Sequence, residues 1–138
     1  MSWGPAEELL ERVRVTVGDR RRGSSQIALS LLELLAETPQ LFMPKSSQLL
    51  MKIYSAVRAR RALVPPITLV SIILNALRLA EERGVALTAG EAASRLLRIY
   101  REALDRAASN LAAALSGCGA VLTLSKSSQV LRALKEAK

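Results

Sequence analysis

The sequence predicts a mainly α-helical fold: a bundle of about five helices, followed by one strand, a turn and a last helix of the kind that opens a parallel sheet. Three observations carry that reading. Half of the residues are apolar while aromatics supply only 3%, so a core has to be assembled from Leu, Ile, Val and Ala, as in packed helices. Apolar residues recur at three- and four-residue spacing through most of the chain before residue 116. The end departs from that period, because the apolar run 120–124 leads into the hydroxyl-rich turn 125–128 and then a short helix.

The helices follow in order. Pro5, whose fixed φ suits a first turn, opens the first, and Leu9, Leu10, Val13 and Val17 keep one face apolar until Gly18 and Asp19 break it. After Gly23, Ser24 or Ser25 offers a cap for a second helix with Ile27, Leu31, Leu34 and Leu35 on its apolar face, ending near Thr38 and Pro39. Beyond Pro44 the pair Ser46 and Ser47 caps a third. It carries Leu49, Leu50, Ile53, Tyr54 and Val57 and runs into Arg58, Arg60 and Arg61, cations that complement a helix C-terminus.

Pro65 and Pro66 reverse the chain and open a fourth helix over 67–83, apolar nearly all round and therefore expected at the centre of the bundle. Gly84 closes it. Thr88 and Glu91, three residues apart, form a capping box for a fifth helix reaching about residue 115. Its apolar stripe is Ala92, Leu96, Ile99, Ala103, Ala107, Leu111 and Leu115, with Arg98, Arg101, Glu102, Asp105 and Arg106 opposite. The expected organisation is a helical bundle domain over 1–117 and, over 118–138, the first strand and helix of a truncated or absent α/β domain.

Composition narrows the function classes. At 138 residues the chain is one domain, or one domain with a fragment of another. Its longest apolar stretch, 67–80, is interrupted by Thr68, Ser71, Asn75 and Arg78 and falls short of the roughly 18–20 residues of a membrane span, which predicts a soluble chain without a membrane partner. Glu7 and Glu8 precede any apolar run, against a secretory leader, and a single Cys118 fits a reducing cytoplasm. No catalytic set, metal-ligand set or cofactor motif is identified. Cys118, a lone thiol in a chain without His, reads as a small buried apolar residue.

Twenty basic residues against twelve acidic ones give a formal charge of +8. Part of it is concentrated at Arg20, Arg21 and Arg22 and at Arg58, Arg60 and Arg61, which form either a solvated surface or contacts for phosphates or an acidic protein. No aromatics interleave the arginines, so nucleic acid is the lesser expectation. Two turns suit an anion. Arg22, Gly23, Ser24 and Ser25 place a guanidinium and two hydroxyls at a helix start, whose amides attract negative charge, and Ser125, Lys126, Ser127 and Ser128 repeat the arrangement. These eight are the candidate phosphate- or ligand-binding residues, with ordinary helix capping as the alternative for each turn.

Three stretches together resemble the archaeal members of the translation initiation factor 2B family, which unites regulatory alpha, beta and delta subunits with ribose-bisphosphate and methylthioribose-phosphate isomerases. The first is 19–28, Asp-Arg-Arg-Arg-Gly-Ser-Ser-Gln-Ile-Ala, similar to the family's turn into its second helix. The second, 61–76, is Arg-Ala-Leu-Val-Pro-Pro-Ile-Thr-Leu-Val-Ser-Ile-Ile-Leu-Asn-Ala, similar to its proline-containing start of a central helix. The third, 119–134, is Gly-Ala-Val-Leu-Thr-Leu-Ser-Lys-Ser-Ser-Gln-Val-Leu-Arg-Ala-Leu, close to the family pattern Val-Leu-Thr-His-Ser-x-Ser-Ser-x-Val-Leu, with Leu124 where the pattern often has His. The likeness covers the whole chain but only the front half of a family member.

The resemblance implies a Rossmann-like continuation after residue 119 and isomerase Cys and Asp residues in a half that this sequence does not contain. It implies that both hydroxyl turns border a sugar-phosphate or nucleotide-phosphate pocket, with Arg22 pairing the phosphate. The leading functional expectation is a non-catalytic subunit or N-terminal domain of that family, acting in cytoplasmic translation initiation through contacts with initiation factor 2 or sister subunits, and homo-oligomeric. Two alternatives stand beside it: an N-terminal fragment of a ribose-1,5-bisphosphate-type isomerase, inactive alone, and a basic RNA-associated helical bundle. The segment 120–124 is expected to pack on the bundle, to pair with a strand of a neighbouring copy, or to be poorly ordered.

Overall fold

A computed structural model describes residues 4–37, 47–122 and 127–137. Six helices occupy these described residues: α1 (Pro5–Gly18), α2 (Ser24–Ala36), α3 (Ser47–Arg58), α4 (Val64–Glu82), α5 (Ala89–Leu115) and α6 (Ser128–Glu136). The chain divides into two compact units, Met1–Leu97 and Arg98–Lys138, and the division falls inside α5. The boundary read from sequence, after residue 117, lies within the second.

In the first unit α1 packs against α2 and α3, and α4 packs against the same two helices, so the four form a ring in the order α1, α2, α4, α3. Most of the residues that the helical period placed on one face of α1, α2 and α3 are those the ring encloses, while Leu49 and Tyr54 are half-buried. Val13 of α1, Ile27, Leu31 and Leu35 of α2, Leu50, Ile53 and Val57 of α3, and Ile73 and Leu77 of α4 are all fully buried. Burying an aliphatic side chain of this size contributes about 1.5–3 kcal/mol, and helices of 12–19 residues depend on such packing more than on their own propensity. No aromatic ring takes part in this buried set.

The local signals hold where the chemistry is local. Pro5 opens α1, and Glu7 and Glu8 in its first turn face the positive end of the helix dipole. α4 ends in a paired turn: Gly84 has φ +67°, its N–H donates to the Glu81 carbonyl at 3.2 Å, and the Val85 N–H donates to the Ala80 carbonyl at 2.8 Å. A residue with a Cβ is strained at that φ. At the start of α5 the Glu91 N–H donates to Thr88 Oγ1 at 3.0 Å and the Thr88 N–H donates to Glu91 Oε2 at 3.3 Å, the reciprocal box that the spacing predicts.

Expectations for four segments are corrected. Gly23, not Ser24 or Ser25, is the N-cap of α2, and no side chain caps it. α4 begins at Val64, so Pro65 and Pro66 stand inside its first turn, where the missing N–H groups would have had no intrahelical partner anyway. It is a wall of the ring rather than its axis, because Leu69, Val70, Ile73 and Leu77 are buried while Val64, Ile72 and Leu79 are exposed. By length and composition this helix would suffice for a membrane span, which the shorter stretch 67–80 would not, and its buried face is packed on α2 and α3. In α5, Ile99 and Ala107 are exposed and Ala108 and Ala112 are buried instead. Each four-residue step advances about 40° beyond a full turn, so a stripe drawn in such steps rotates off the packed face.

The fourth correction concerns the strand. Among the described residues there is none: 120–122 carry no strand pairing, and Val121 and Leu122 are 41% and 93% exposed. A strand satisfies its N–H and C=O groups only against another strand, and the described residues include no second one. Thr123, Leu124, Ser125 and Lys126 lie outside the described residues. The helix expected after them is present as α6, held to α5 by Arg132, whose Nη1 donates to Asp105 Oδ1 at 2.6 Å. That hydrogen bond and the Asp105 charge hold the guanidinium more firmly protonated than usual.

Removing buried carbon from the ring should be costly: Ile53→Ala is expected to lower unfolding free energy by about 2–5 kcal/mol in urea titrations. Thr88→Ala should cost about 1 kcal/mol, and Glu91→Ala added to it should cost little more, since the two serve one box; a double-mutant cycle checks this.

Candidate anion-binding surface

The two arginine clusters that stand apart in the sequence meet at one end of the four-helix ring. On one side, α1 stops at Gly18, and the Asp19 carboxylate accepts the Arg21 N–H at 2.9 Å, a local turn that shapes the connector 19–23. On the other, α3 stops at Arg58, and the Leu63 N–H donates to the Arg60 carbonyl at 3.0 Å, tightening the connector 59–63. From that turn the Arg60 side chain reaches across 43 residues of sequence: its Nη1 donates to the carbonyl oxygens of Val17 at 2.7 Å and Asp19 at 3.0 Å. α1 has no basic residue in its own last turn, so Arg60 supplies the cation that its negative end lacks.

Around this tie, Arg20, Arg21, Arg22, Arg58 and Arg61 are exposed. Arg58 lies 6.0 Å from the centre of the Tyr54 ring, a cation–π distance. Arg22 folds back along α2, its Nη2 donating to the Gln26 carbonyl at 3.3 Å. Six arginines stand in the stretches 19–23 and 58–63 with one carboxylate, Asp19.

A groove runs from this end along the seam between α1 and α3, formed by two adjoining hollows of about 400 and 430 Å³. Its floor is small, with Gly18, Ser55, Ala56 and Ala59, and Arg14, Arg20 and Lys52 stand along it. The carboxylate beside it is Glu11, 3.8 Å from Arg14, in a pair at least half exposed on both sides and so worth about 0–1 kcal/mol.

Of the eight sequence-derived site residues, the structure places Arg22, Gly23, Ser24 and Ser25 at this basic end, at the start of α2. Because no side chain caps Gly23, the amides of the first turn remain open. Ser127 is the N-cap of α6, also without a side-chain cap bond, and Ser128 begins that helix. Ser125 and Lys126 lie outside the described residues. The two turns belong to different compact units, Met1–Leu97 and Arg98–Lys138. Sequence reasoning missed Arg14 and Lys52, which look like ordinary polar-face cations until α1 and α3 are paired. It also placed Cys118 in a core, whereas Cys118 is exposed at the edge of a hollow of about 420 Å³ with Leu115, Val121, Leu134 and Ala137.

Arg60→Ala is expected to cost about 1–3 kcal/mol and to speed amide exchange in 19–23, with Arg60→Lys recovering only part of both, because an ammonium lacks the fixed fork that holds two carbonyls. Compared with known proteins, the chain matches no protein-family model, no curated protein and no solved structure.

Proposed function

We propose that the chain is a non-catalytic helical domain of the initiation factor 2B type, working in translation initiation through protein–protein contacts. The observation that supports this reading best is the unfinished packing of the second unit. Among its described residues the buried apolar side chains are Ala108, Ala112 and Ala133, with no larger one. Val121, Leu122 and Leu131 meanwhile face solvent.

A unit of about forty residues whose described residues bury nothing larger than alanine has little of the apolar burial that stabilises a domain, which favours a partner's surface completing it. The backbone of 120–122 is also without hydrogen-bond partners among the described residues, which favours an occupant that brings a strand edge. The resemblance of 119–134 to the start of the family's sheet points to the same kind of partner, a sister subunit or a second copy. The translation role rests on the three resembling stretches together.

The test is light scattering on the purified chain, followed by calorimetry with purified initiation factor 2 and sister subunits. A self-complex or a heterocomplex with a Kd of about 1 μM, about −8 kcal/mol, is expected. Leu122→Asp should weaken it at least about tenfold, the order of effect for losing a buried apolar contact, while leaving the circular dichroism unchanged because Leu122 is 93% exposed in the free chain. A chain that stays monomeric and binds none of these proteins overturns the reading.

A further inference from the structure

The geometry points to a second binding surface: the basic end of the first unit and the α1–α3 groove bind the phosphate backbone of RNA without reading its bases. Every residue involved lies in Met1–Leu97, so this surface does not depend on what completes the second unit.

Shape is the first argument. The cations are strung out, not gathered round a point. Lys52 and Arg14 stand along the groove and Arg20 stands where it meets the connectors, on which Arg21, Arg22 and Arg61 are exposed; Arg58 sits over Tyr54, which lines the α3–α4 side, and is not part of the track. From Lys52 to Ala59, both of which line the groove, the axis of α3 alone advances about 10 Å, and the connector 19–23 extends the track further. A single strand carries one charge per roughly 3.4 Å, so several consecutive phosphates meet the track at once. A lone phosphate would gain little from any one of these side chains, because each is exposed and screened by salt.

Chemistry is the second. Five of the six cations are arginines, whose planar forks match phosphate oxygens. The small floor of Gly18, Ser55, Ala56 and Ala59 lets a backbone lie close to the helices, and the N-terminal amides of α2 open at the same end. Opposing charge is slight: Glu11 is engaged with Arg14, and Asp19 accepts the Arg21 N–H. Among the described residues no aromatic side chain lines the groove to stack bases, the usual means of sequence readout in single strands, which favours the backbone as the ligand. An acidic protein lacks the regular charge spacing that this linear arrangement fits.

The experiment is fluorescence anisotropy with the full chain and a labelled mixed-sequence RNA oligonucleotide over a range of salt concentrations. Neutralising about four to six phosphates predicts a slope of about −3 to −4 in log affinity against log salt. Arg20→Ala, Arg21→Ala and Arg22→Ala together should reduce affinity at least about tenfold and flatten the slope by about 2. Arg14→Ala with Lys52→Ala should flatten it by about 1.4, and Arg98→Ala with Arg106→Ala on α5 should change neither quantity. These side chains are exposed, so circular dichroism should stay unchanged across the series. Binding that ignores salt, equal losses in the α5 control, or polyglutamate competing as well as RNA at equal charge would each overturn the proposal, the last by assigning the surface to an acidic protein.

Discussion

The Arg60 guanidinium, shared between the carbonyls of Val17 and Asp19, is the contact on which the basic end of the molecule depends. α1 has acidic residues at its start but no cation at its end, so the negative pole of its dipole would otherwise meet only water. A residue from the α3–α4 connector fills that place. In doing so it draws together two connectors that both carry exposed arginines, whose like charges repel over a screening length of about 8 Å at physiological salt. A fold that accepts such crowding holds a surface whose repulsion an anion relieves.

That arrangement stands on a first unit with an enclosed aliphatic core, although Val15, Met51, Val64, Ile72 and Leu79 stay exposed on its surface. Aliphatic side chains from four helices interlock without aromatic rings, and each helix contributes one stripe to the enclosed space. The second unit is the opposite case. Its described buried apolar side chains are alanines, and α6 is tied to α5 by the Asp105–Arg132 pair, a charged contact exposed on both sides and therefore weak in water. One chain thus carries a unit with a core of large aliphatic side chains and a unit whose described residues bury nothing larger than alanine. The two proposed surfaces follow that division: charge on the self-sufficient unit, apolar area on the unfinished one.

How much of this was legible in the sequence depended on the range of the interaction. The α5 capping box could be read because Thr88 and Glu91 are three residues apart, and the end of α4 because a left-handed turn selects Gly84. The start of α4 was misread because prolines signal both a break and a first turn, and only the hydrogen-bond pattern separates the two. The segment 120–122 has strand-forming composition, yet pairing is a property of two segments and the sequence shows one. At the candidate surface, Arg22 to Ser25 were found at their helix start, whereas the contribution of Arg14 and Lys52 was invisible until two helices were laid together.

By itself, the sequence determined the helical class, most helix ends and most of the residues of the first three helices that face inward, since these follow from backbone sterics and a 3.6-residue period that act within a few positions. Only the tertiary structure decided that α4 forms a wall instead of an axis, that Arg60 caps a helix 43 residues away, and that two arginine clusters and a lysine on α3 share one surface. Those outcomes depend on which faces choose each other. That choice is made by the summed burial of all the helices together, and no local window contains it.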